Sequence, residues 1–367
     1  MKILYDHQVF SWQICGGISR YFFELMKQFS SSGEPDYELA LRYSNNSYLN
    51  SGSLGHYKTF FKSRNFRGKH RLMSILNRPQ SEKLLSRQDF DIFHPTYYDT
   101  YFLKYIGSKP FVLTIHDMIH EIFRGDFPTS DKTSENKKLL AQRAARIIAV
   151  SENTKNDIVR LLRIDEKKIT VIYHGNSLLT PTGNRHSELL IPDRYILFVG
   201  DRSKYKNFEF FIKAISPLFS QDKDLNIVYV GGSNFTDSEN CHFKELCLEQ
   251  RIHRFEVMDE NLAILYRKAL AFVFPSLYEG FGIPVLEALG CGCPAILSQT
   301  SSLPEVAGDA AVYFDPTSET SIIEGISNVI YDENLRQNLI EKGTERVKRF
   351  SWQKTAEQTE AVYRSIR

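Results

Sequence analysis

The stretch FPSLYEGFGIPVLE (Phe274–Glu287) places two carboxylates, Glu279 and Glu287, on either side of a glycine-rich turn. The apolar residues that lead into it predict a buried strand, and the residues from Pro284 to about Leu289 predict a helix after it. A strand, a glycine turn and a helix start bring backbone N–H groups together and attract an anion, most often a phosphate. Carboxylates do not bind phosphate, so we expect the two glutamates to meet sugar hydroxyls.

Short apolar runs alternate with amphipathic stretches along the chain, which predicts two parallel α/β sheets. Strands are expected at Ile3–Tyr5, Tyr37–Leu41, Ile92–His94, Phe111–Ile115, Arg146–Val150, Ile169–Ile172, Tyr195–Val199, Leu225–Val230, Phe255–Val257, Phe272–Phe274 and Ala295–Leu297. Helices are expected at Ile18–Ser31, Lys137–Arg143, Glu152–Leu162, Asn207–Phe219, Asn261–Lys268 and Pro284–Leu289, and Glu319–Arg349 is expected to be rich in helix.

The periodicity breaks between Leu178 and Ile191, where proline, glycine and polar residues cluster. The pattern therefore predicts a doubly wound domain at 1–177, a linker at 178–191, and a second doubly wound domain at 192–349. A last helix at 350–367 is expected to begin after Ser351, and Ser151 is typical of another helix N-cap. In such sheets, ligands bind beyond the carboxyl ends of the strands.

The charge and composition exclude some classes of protein. The net charge of the 367 residues is +2, too small to suggest a nucleic-acid-binding protein, and no apolar run reaches the roughly 20 residues that span a membrane. One segment is unusual: residues 54–88 carry nine lysines and arginines against one acid, Glu82, with aromatic residues between them. This composition suits an anionic membrane surface, although a solvated helical face with ordinary core aromatics would have it too.

Two other glycine turns follow expected strands. Gly16-Gly17 leads into a helix, which permits phosphate to approach the backbone or simply makes a tight connection. The run FVGDRSKYKN places Gly200 at a strand end, followed by Arg202 and Lys206, two cations that could both reach a diphosphate or could face solvent.

The run TIHDMIHE ends the expected strand Phe111–Ile115 with His116, Asp117 and His120. A metal site would need further ligands at fixed spacing, and none is evident in the sequence. Two interpretations stay open for His116, a structural histidine or a polar contact to a reacting sugar.

The two glutamates could also hydrolyse a glycosidic bond as a pair of acids. Glu287, however, is expected at about the third position of its helix, where the dipole favours a carboxylate that stays ionised. An ionised Glu287 suits hydrogen bonds from a ribose diol and does not suit a general acid, and Glu279 in the turn could hold hydroxyls of a hexose.

Residues Pro275–Pro316, with the FVGDRSKYKN run, resemble the retaining glycosyltransferases of family four, which have the GT-B fold. The segment Asp6–Phe22 is similar to the amino-terminal region of members that build O-antigen, capsule or similar polysaccharides, including mannosyltransferases. The resemblance implies two Rossmann-like domains facing across a cleft, with the C-terminal helix crossing back to the first.

The resemblance also assigns roles to residues. It implies that Glu287 accepts the ribose hydroxyls, that Glu279 contacts the donor hexose, and that His116 lies at the reacting centre. Arg202 and Lys206 would stabilise the leaving diphosphate. The remaining expected donor contacts are Gly17, Gly200, Gly280, Phe281, Gly282, Met258 and Leu265, the last two beside the nucleotide base.

The expected substrates are a nucleotide-diphospho-sugar, GDP-mannose or a UDP-hexose, and a saccharide or lipid-linked saccharide acceptor. The resemblance implies no metal and no cofactor beyond this co-substrate, and no nucleic-acid partner. The five cysteines, an odd number without metal-type spacing, are expected to be reduced thiols of a cytoplasmic protein. The composition of residues 54–88, together with the resemblance, predicts peripheral contact with the inner face of the cytoplasmic membrane. A GT-B sugar-nucleotide epimerase and a non-catalytic nucleotide-sugar-binding protein stay open as alternatives.

Overall fold

The computed structural model of the chain describes residues 1–51, 54, 57–61, 64, 66–178 and 190–366. Contacts divide the chain into two compact units, one formed by Met1–Gly175 with Ser351–Arg367 and the other by Asn176–Phe350. Most of the predicted linker, 179–189, lies outside the described residues.

The first unit contains parallel strands in two three-stranded sheets, ordered β2-β1-β3 and β4-β5-β6. A parallel bridge between Phe93 and Phe111 connects the two sheets. The strands are β1 (Lys2–Tyr5), β2 (Asp36–Leu39), β3 (Ile92–His94), β4 (Val112–Ile115), β5 (Arg146–Ala149) and β6 (Ile169–Val171). Strands β3 and β4 are buried along their whole length, as expected for the centre of a parallel sheet covered on both faces.

Helices of the first unit connect these strands and cover the sheets. They are α1 (Gln8–Trp12), α2 (Gly17–Ser32), α3 (Lys69–Arg87), α4 (Ile119–Ile122), α5 (Thr133–Arg143) and α6 (Glu152–Asp157). A π-helical turn, Ile158–Leu162, continues α6. The predicted cap is confirmed, since the Ser151 hydroxyl accepts a hydrogen bond from the backbone N–H of Thr154 at 3.0 Å.

The second unit contains a six-stranded parallel sheet with the order β12-β11-β10-β7-β8-β9. Its strands are β7 (Tyr195–Val199), β8 (Asn226–Val230), β9 (Ile252–Phe255), β10 (Ala271–Phe274), β11 (Ala295–Ser298) and β12 (Ala311–Phe314). The strand order reverses between β7 and β10, which are direct neighbours. This reversal brings the loops after the two strands together and makes the crevice in which doubly wound sheets bind ligands.

Helices of the second unit cover this sheet. They are α7 (Phe208–Gln221), α8 (Asp237–Glu245), α9 (Asp259–Lys268), α10 (Ile283–Gly290), α11 (Leu303–Ala307), α12 (Glu319–Ile330) and α13 (Glu333–Val347). The apolar faces of α7 and α12 pack together in the main core cluster of this unit.

The last helix, α14 (Trp352–Arg364), packs on α2 of the first unit, and Ser351 caps it as predicted. The Tyr363 hydroxyl lies 2.8 Å from the Tyr5 hydroxyl and 2.6 Å from Nδ1 of His94, which fixes the helix against β1 and β3. At the start of α14, a β-carbon on Gly175 would come within 2.2 Å of the Trp352 backbone nitrogen, so only glycine fits there.

The prediction of doubly wound parallel sheets is confirmed, but some elements differ. The predicted strand Phe255–Val257 is wrong in position, because β9 occupies Ile252–Phe255 and ends where that prediction begins. Strand β12 and the short helices α1, α4 and α11 were not predicted, and neither were helices α3 and α8. Strand β12 is a short edge strand, and the mean composition of both helices is polar, which hides the period that marks a buried face.

Candidate functional site

An ion pair joins the loops that follow β7 and β10. Lys206 Nζ lies 2.7 Å from Glu279 Oε1, and each side chain is only 11% exposed. The ammonium also lies 4.9 Å from the ring centroid of Phe274, the last residue of β10. The structure thus brings together two predicted site residues that are 73 positions apart, at the reversal of the strand order.

The glycine turn after β10, Glu279–Gly282, leads directly into α10. Gly282 occupies the N-cap position with a φ of 94°, a left-handed conformation that favours glycine. A β-carbon at Gly282 would also lie only 3.0 Å from Cδ2 of Leu303. The turn therefore depends on glycine, and it places the positive end of the α10 dipole three residues after Glu279 in the chain.

Two serines that the sequence analysis did not select hold this turn in place. The backbone N–H of Glu279 donates to Ser301 Oγ at 2.9 Å, and Ser302 Oγ donates to the carbonyls of Glu279 and Phe281 at 2.9 and 3.1 Å. Ser302 precedes α11 and has the sequence of a capping box with Glu305, but its side chain makes no cap hydrogen bond. Only the tertiary structure shows that Ser302 supports the glycine turn instead.

Glu287 is the fifth residue of α10, so the prediction of the third position was wrong. The effect of the dipole falls off within the first turn, and it does not explain an ionised carboxylate here. Glu287 is 5% exposed, and its Oε2 accepts a hydrogen bond from the Tyr266 hydroxyl at 3.2 Å. Burial, and then the charge of Glu287, raise the pKa of Tyr266, so this hydroxyl keeps its proton and remains a donor.

Arg202 and Lys206 have different partners within the protein, and the prediction that both meet one diphosphate stays a prediction. The Nε and Nη2 of Arg202 donate to the carboxylate of Glu239. Its Nη1 donates to the Tyr229 hydroxyl at 2.8 Å and to the carbonyl of Ser233 at 3.0 Å, and Nη2 donates to the carbonyl of Asn234 at 3.0 Å. A guanidinium has five N–H donors, and these five bonds account for all of them.

Leu265 is predicted to lie beside the nucleotide base through backbone contacts, and this stays a prediction. Its side chain is fully buried in the core, and its carbonyl accepts a hydrogen bond from the Tyr195 hydroxyl at 2.7 Å. Met258, which precedes α9, is 70% exposed and stays a predicted base contact. Gly200 follows β7, its backbone N–H donates to the carbonyl of Val230 at 2.9 Å, and it too stays a predicted donor contact.

In the first unit, His116 follows β4 and is 9% exposed. Its backbone N–H donates to the Tyr98 hydroxyl at 3.1 Å, and its ring stacks on His174 with centroids 6.0 Å apart. Burial lowers the pKa of His116 to about 3, so the imidazole is neutral at physiological pH. Its Nε2 is buried and has no hydrogen-bond partner among the described residues.

A buried lysine that the sequence analysis placed only at a helix start supports the loop after β4. The side chain of Lys137 is fully buried, and Nζ lies 2.9 Å from Oε2 of Glu121 and 2.9 Å from the carbonyl of Asp117. The ammonium also lies 5.1 Å from the centroid of the Tyr98 ring. Lys137 thus fixes the residue next to His116 and the ring that holds the His116 backbone.

The other predicted contact in this unit, Gly17, is the first residue of α2. The side-chain carbonyl of Gln13 caps this helix by accepting from the backbone N–H of Ser19 at 3.0 Å. No three histidines, cysteines or carboxylates among the described residues form a group that could hold a metal ion. The metal independence of the chain stays a prediction.

Comparisons with known proteins match both units. The family model described as Glycosyltransferase Family 4 matches residues 15–178, and the model described as Glycosyl transferases group 1 matches residues 184–346. O-antigen chain mannosyltransferase B of Escherichia coli is 27% identical to this chain, over 100% of both. O-antigen chain mannosyltransferase RfbU of Salmonella typhimurium is 30% identical, over 59% of this chain and 60% of its own.

The solved structure of Anabaena Alr3699/HepE in complex with UDP and glucose has a TM-score of 0.76 to this chain at 16% identity, and the match covers 100% of both chains. This likeness confirms the predicted GT-B fold class. The chain therefore belongs to the glycosyltransferases, with a Glycosyltransferase Family 4 domain in its first part and a group 1 glycosyltransferase domain in its second.

Proposed function

We propose that this glycosyltransferase moves a hexose, with mannose as the leading candidate, from a nucleotide-diphospho-sugar to a saccharide or lipid-linked saccharide. The product would belong to a cell-surface polysaccharide such as a lipopolysaccharide O-antigen or a capsule. The buried Lys206–Glu279 pair carries the proposal, because it sets a cation and a carboxylate side by side in the loops that follow β7 and β10. The names of the two mannosyltransferase relatives support mannose and an O-antigen product.

The donor would be held at both ends by the second unit. An ammonium group has three N–H donors, so Lys206 can keep Glu279 and still donate to a phosphate oxygen. The positive end of the α10 dipole adds to the attraction for the diphosphate. Glu279 would accept hydroxyls of the hexose, and Glu287 would accept the ribose hydroxyls alongside Tyr266.

In the proposed reaction, the bond between the anomeric carbon and the diphosphate breaks first, through an oxocarbenium-like transition state. Lys206 and the helix N-terminus stabilise the charge that grows on the diphosphate, and such fixed electrostatics are often the largest contribution to catalysis. The acceptor hydroxyl attacks from the same face and passes its proton to a phosphate oxygen. The products are a nucleoside diphosphate and a glycoside of unchanged configuration.

His116 would contact the reacting sugar as a neutral hydrogen-bonding group. Its low pKa makes a protonated imidazole too rare to act as the general acid at neutral pH. We propose that no divalent cation is needed, because Lys206 and the helix supply the positive charge. Activity that disappears in EDTA and returns with Mg²⁺ or Mn²⁺ would contradict this part of the proposal.

The test begins with thermal-shift screening against GDP, UDP, ADP and dTDP sugars, followed by transfer assays with the best donor and a lipid-linked saccharide. We expect stabilisation by one nucleotide-sugar, transfer that requires the acceptor, and an NMR spectrum in which the new linkage keeps the anomeric configuration of the donor. Inverted product, or epimerisation of the sugar without acceptor, would overturn the proposed mechanism. Tight donor binding without any turnover would favour the non-catalytic alternative.

We also propose that the protein acts in the cytoplasm at the anionic inner face of the membrane, through the predicted 54–88 segment. Helix α3 in this segment has apolar residues on both faces: Met73 and Leu85 are buried, while Leu72, Ile75 and Leu76 are 39–57% exposed. The exposed basic residues among the described part of the segment are Lys58, Arg64, Arg67, Arg71, Arg78, Lys83 and Arg87. Lys62 lies outside the described residues. No described helix is both long enough and apolar enough to cross a bilayer.

Vesicle flotation tests this surface. We expect binding to vesicles that contain phosphatidylglycerol and much weaker binding to pure phosphatidylcholine, because each basic residue near an anionic surface contributes about 1 kcal/mol. The double variant L72S/I75S should lose binding, whereas Ile122→Ser, at an exposed apolar residue elsewhere in the same unit, should not. Equal binding of all three proteins would contradict the assignment to α3.

A further inference from the structure

We propose that Arg202 is a positioning residue, and that its ion pair with Glu239 holds the loop carrying Lys206 against the loop that follows β8. This inference rests on the proposed function, because it assigns the diphosphate to Lys206 and removes Arg202 from it. It replaces the role that the sequence resemblance implied for Arg202. The residues Gly200–Lys206 are called the basic turn below.

The guanidinium of Arg202 is already bound within the protein. All five N–H donors of Arg202 have acceptors within the protein, and its side chain is only 9% exposed. Its guanidinium carbon also lies 5.0 Å from the centroid of the Tyr229 ring and 4.9 Å from that of Phe235. A phosphate oxygen could bind Arg202 only after one of these hydrogen bonds was broken.

The carboxylate of Glu239 is held at the start of α8. Its Oε2 accepts hydrogen bonds from the backbone N–H and the hydroxyl of Thr236, at 2.7 and 2.9 Å, which completes a capping box at the start of α8. The carboxylate is therefore anchored to the helix, and Arg202 is anchored to the carboxylate. Removing one partner of a well-buried pair leaves an uncompensated charge, so the pair resists opening.

The loops that follow β7 and β8 are in close contact. A β-carbon on Gly231 would lie 2.5 Å from the carbonyl oxygen of Gly200, and one on Gly232 would lie 2.4 Å from the Tyr229 hydroxyl. The Tyr229 hydroxyl donates to the carbonyl of Gly200 at 3.0 Å and accepts from Arg202. The loops meet backbone to backbone, and Tyr229 and Arg202 fasten the contact.

The consequence for catalysis is geometric. Lys206 lies at the end of the basic turn, four residues after Arg202, and its distance from Glu279 depends on where the turn begins. A displacement of this turn would move the ammonium away from the developing charge, and misplacement by about 1 Å can cost about 100-fold in rate. Arg202 would thus affect transfer without contacting the donor.

The variants R202M, E239Q and R202M/E239Q separate this role from direct phosphate binding. If Arg202 acts through Glu239, the two single variants should lower kcat to a similar extent, about 10-fold or more, and the double variant should be no more than about 3-fold worse than either. If Arg202 binds the diphosphate, R202M should weaken binding of the nucleoside diphosphate, while E239Q should leave it unchanged or tighter because the guanidinium is released. That second pattern would overturn the proposal.

Hydrogen exchange without any ligand provides a readout that does not depend on the proposed function. Amides of the basic turn and of residues 231–236 should exchange faster in E239Q and R202M than in the parent protein. The matched control is Lys213→Met, which removes an exposed ion pair with Glu319 in the same unit and should change neither exchange nor kcat. Amide exchange rates in E239Q equal to those of the parent protein would refute the positioning role. If exchange is faster in E239Q but the parent protein binds no nucleotide, the proposed function is refuted and the contact between the loops is still supported.

Discussion

Replacing Lys206 should affect activity and stability together, and the structure allows the two effects to be separated. The ammonium and the Glu279 carboxylate are 2.7 Å apart and about nine-tenths buried. In Lys206→Met, the carboxylate loses its partner while it remains buried, and breaking such a pair costs about 3–5 kcal/mol. Because each side chain keeps some solvent contact, we expect about 3 kcal/mol of lost unfolding free energy.

The activity loss has a different origin. Loss of one preorganised donor to a developing negative charge costs at least ~2 kcal/mol of transition-state stabilisation, which is about 30-fold in kcat. In the double variant K206M/E279M, two apolar side chains of similar length replace the pair, and such replacements are often neutral for stability. The double variant should therefore recover most of the unfolding free energy without recovering transfer.

The assay is urea unfolding of the parent, K206M, E279M and the double variant, with transfer rates measured on the same preparations well below the unfolding midpoint. The exposed pair Lys213–Glu319, at 2.9 Å, provides the control, and its disruption should cost less than about 1 kcal/mol. A K206M protein with the parental transfer rate would refute the catalytic role. A double variant as unstable as K206M would refute the account of the buried pair.

Three further predictions concern other buried groups. Glu287→Gln should raise the Kd of the donor, measured by calorimetry, about 10-fold, because a charge-assisted hydrogen bond to the ribose is lost. Tyr266→Phe should raise this Kd less. A Glu287→Gln protein that binds the donor as tightly as the parent would contradict the ribose assignment. Lys137→Met should lower the unfolding free energy by about 3–5 kcal/mol, and Glu121→Gln in that background should restore part of it, since Glu121 is the carboxylate left unpaired. Burial holds the pKa of His116 at about 3 in the folded state, so the unfolded chain binds the proton first as the pH falls below about 6.5. This group should therefore lower the unfolding free energy by about 1.4 kcal/mol between pH 7.5 and 5.5, measured by urea titration at each pH. His116→Asn should remove that part of the pH dependence.

The sequence by itself determined the fold class and several elements within it. The predicted strands Ile92–His94 and Tyr195–Val199 agree with β3 and β7 residue for residue, because short, mostly apolar runs are typical of buried parallel strands. The serines at 151 and 351 were found as caps because capping is a local interaction between a side chain and the backbone that follows it. The glycine turn before α10 was likewise readable from its residues alone.

Only the tertiary structure decided which side chains form the site. Lys206 meets Glu279 across 73 residues because the strand order reverses between β7 and β10, and nothing in the spacing of a sequence reports such a neighbour. The same holds for Arg202, which sequence motifs associate with phosphate and which the fold turns toward Glu239, 37 residues away. Hydrogen bonds and burial depend on distances in space, so the fold, and not the spacing of a motif, decides which partners surround a charged residue.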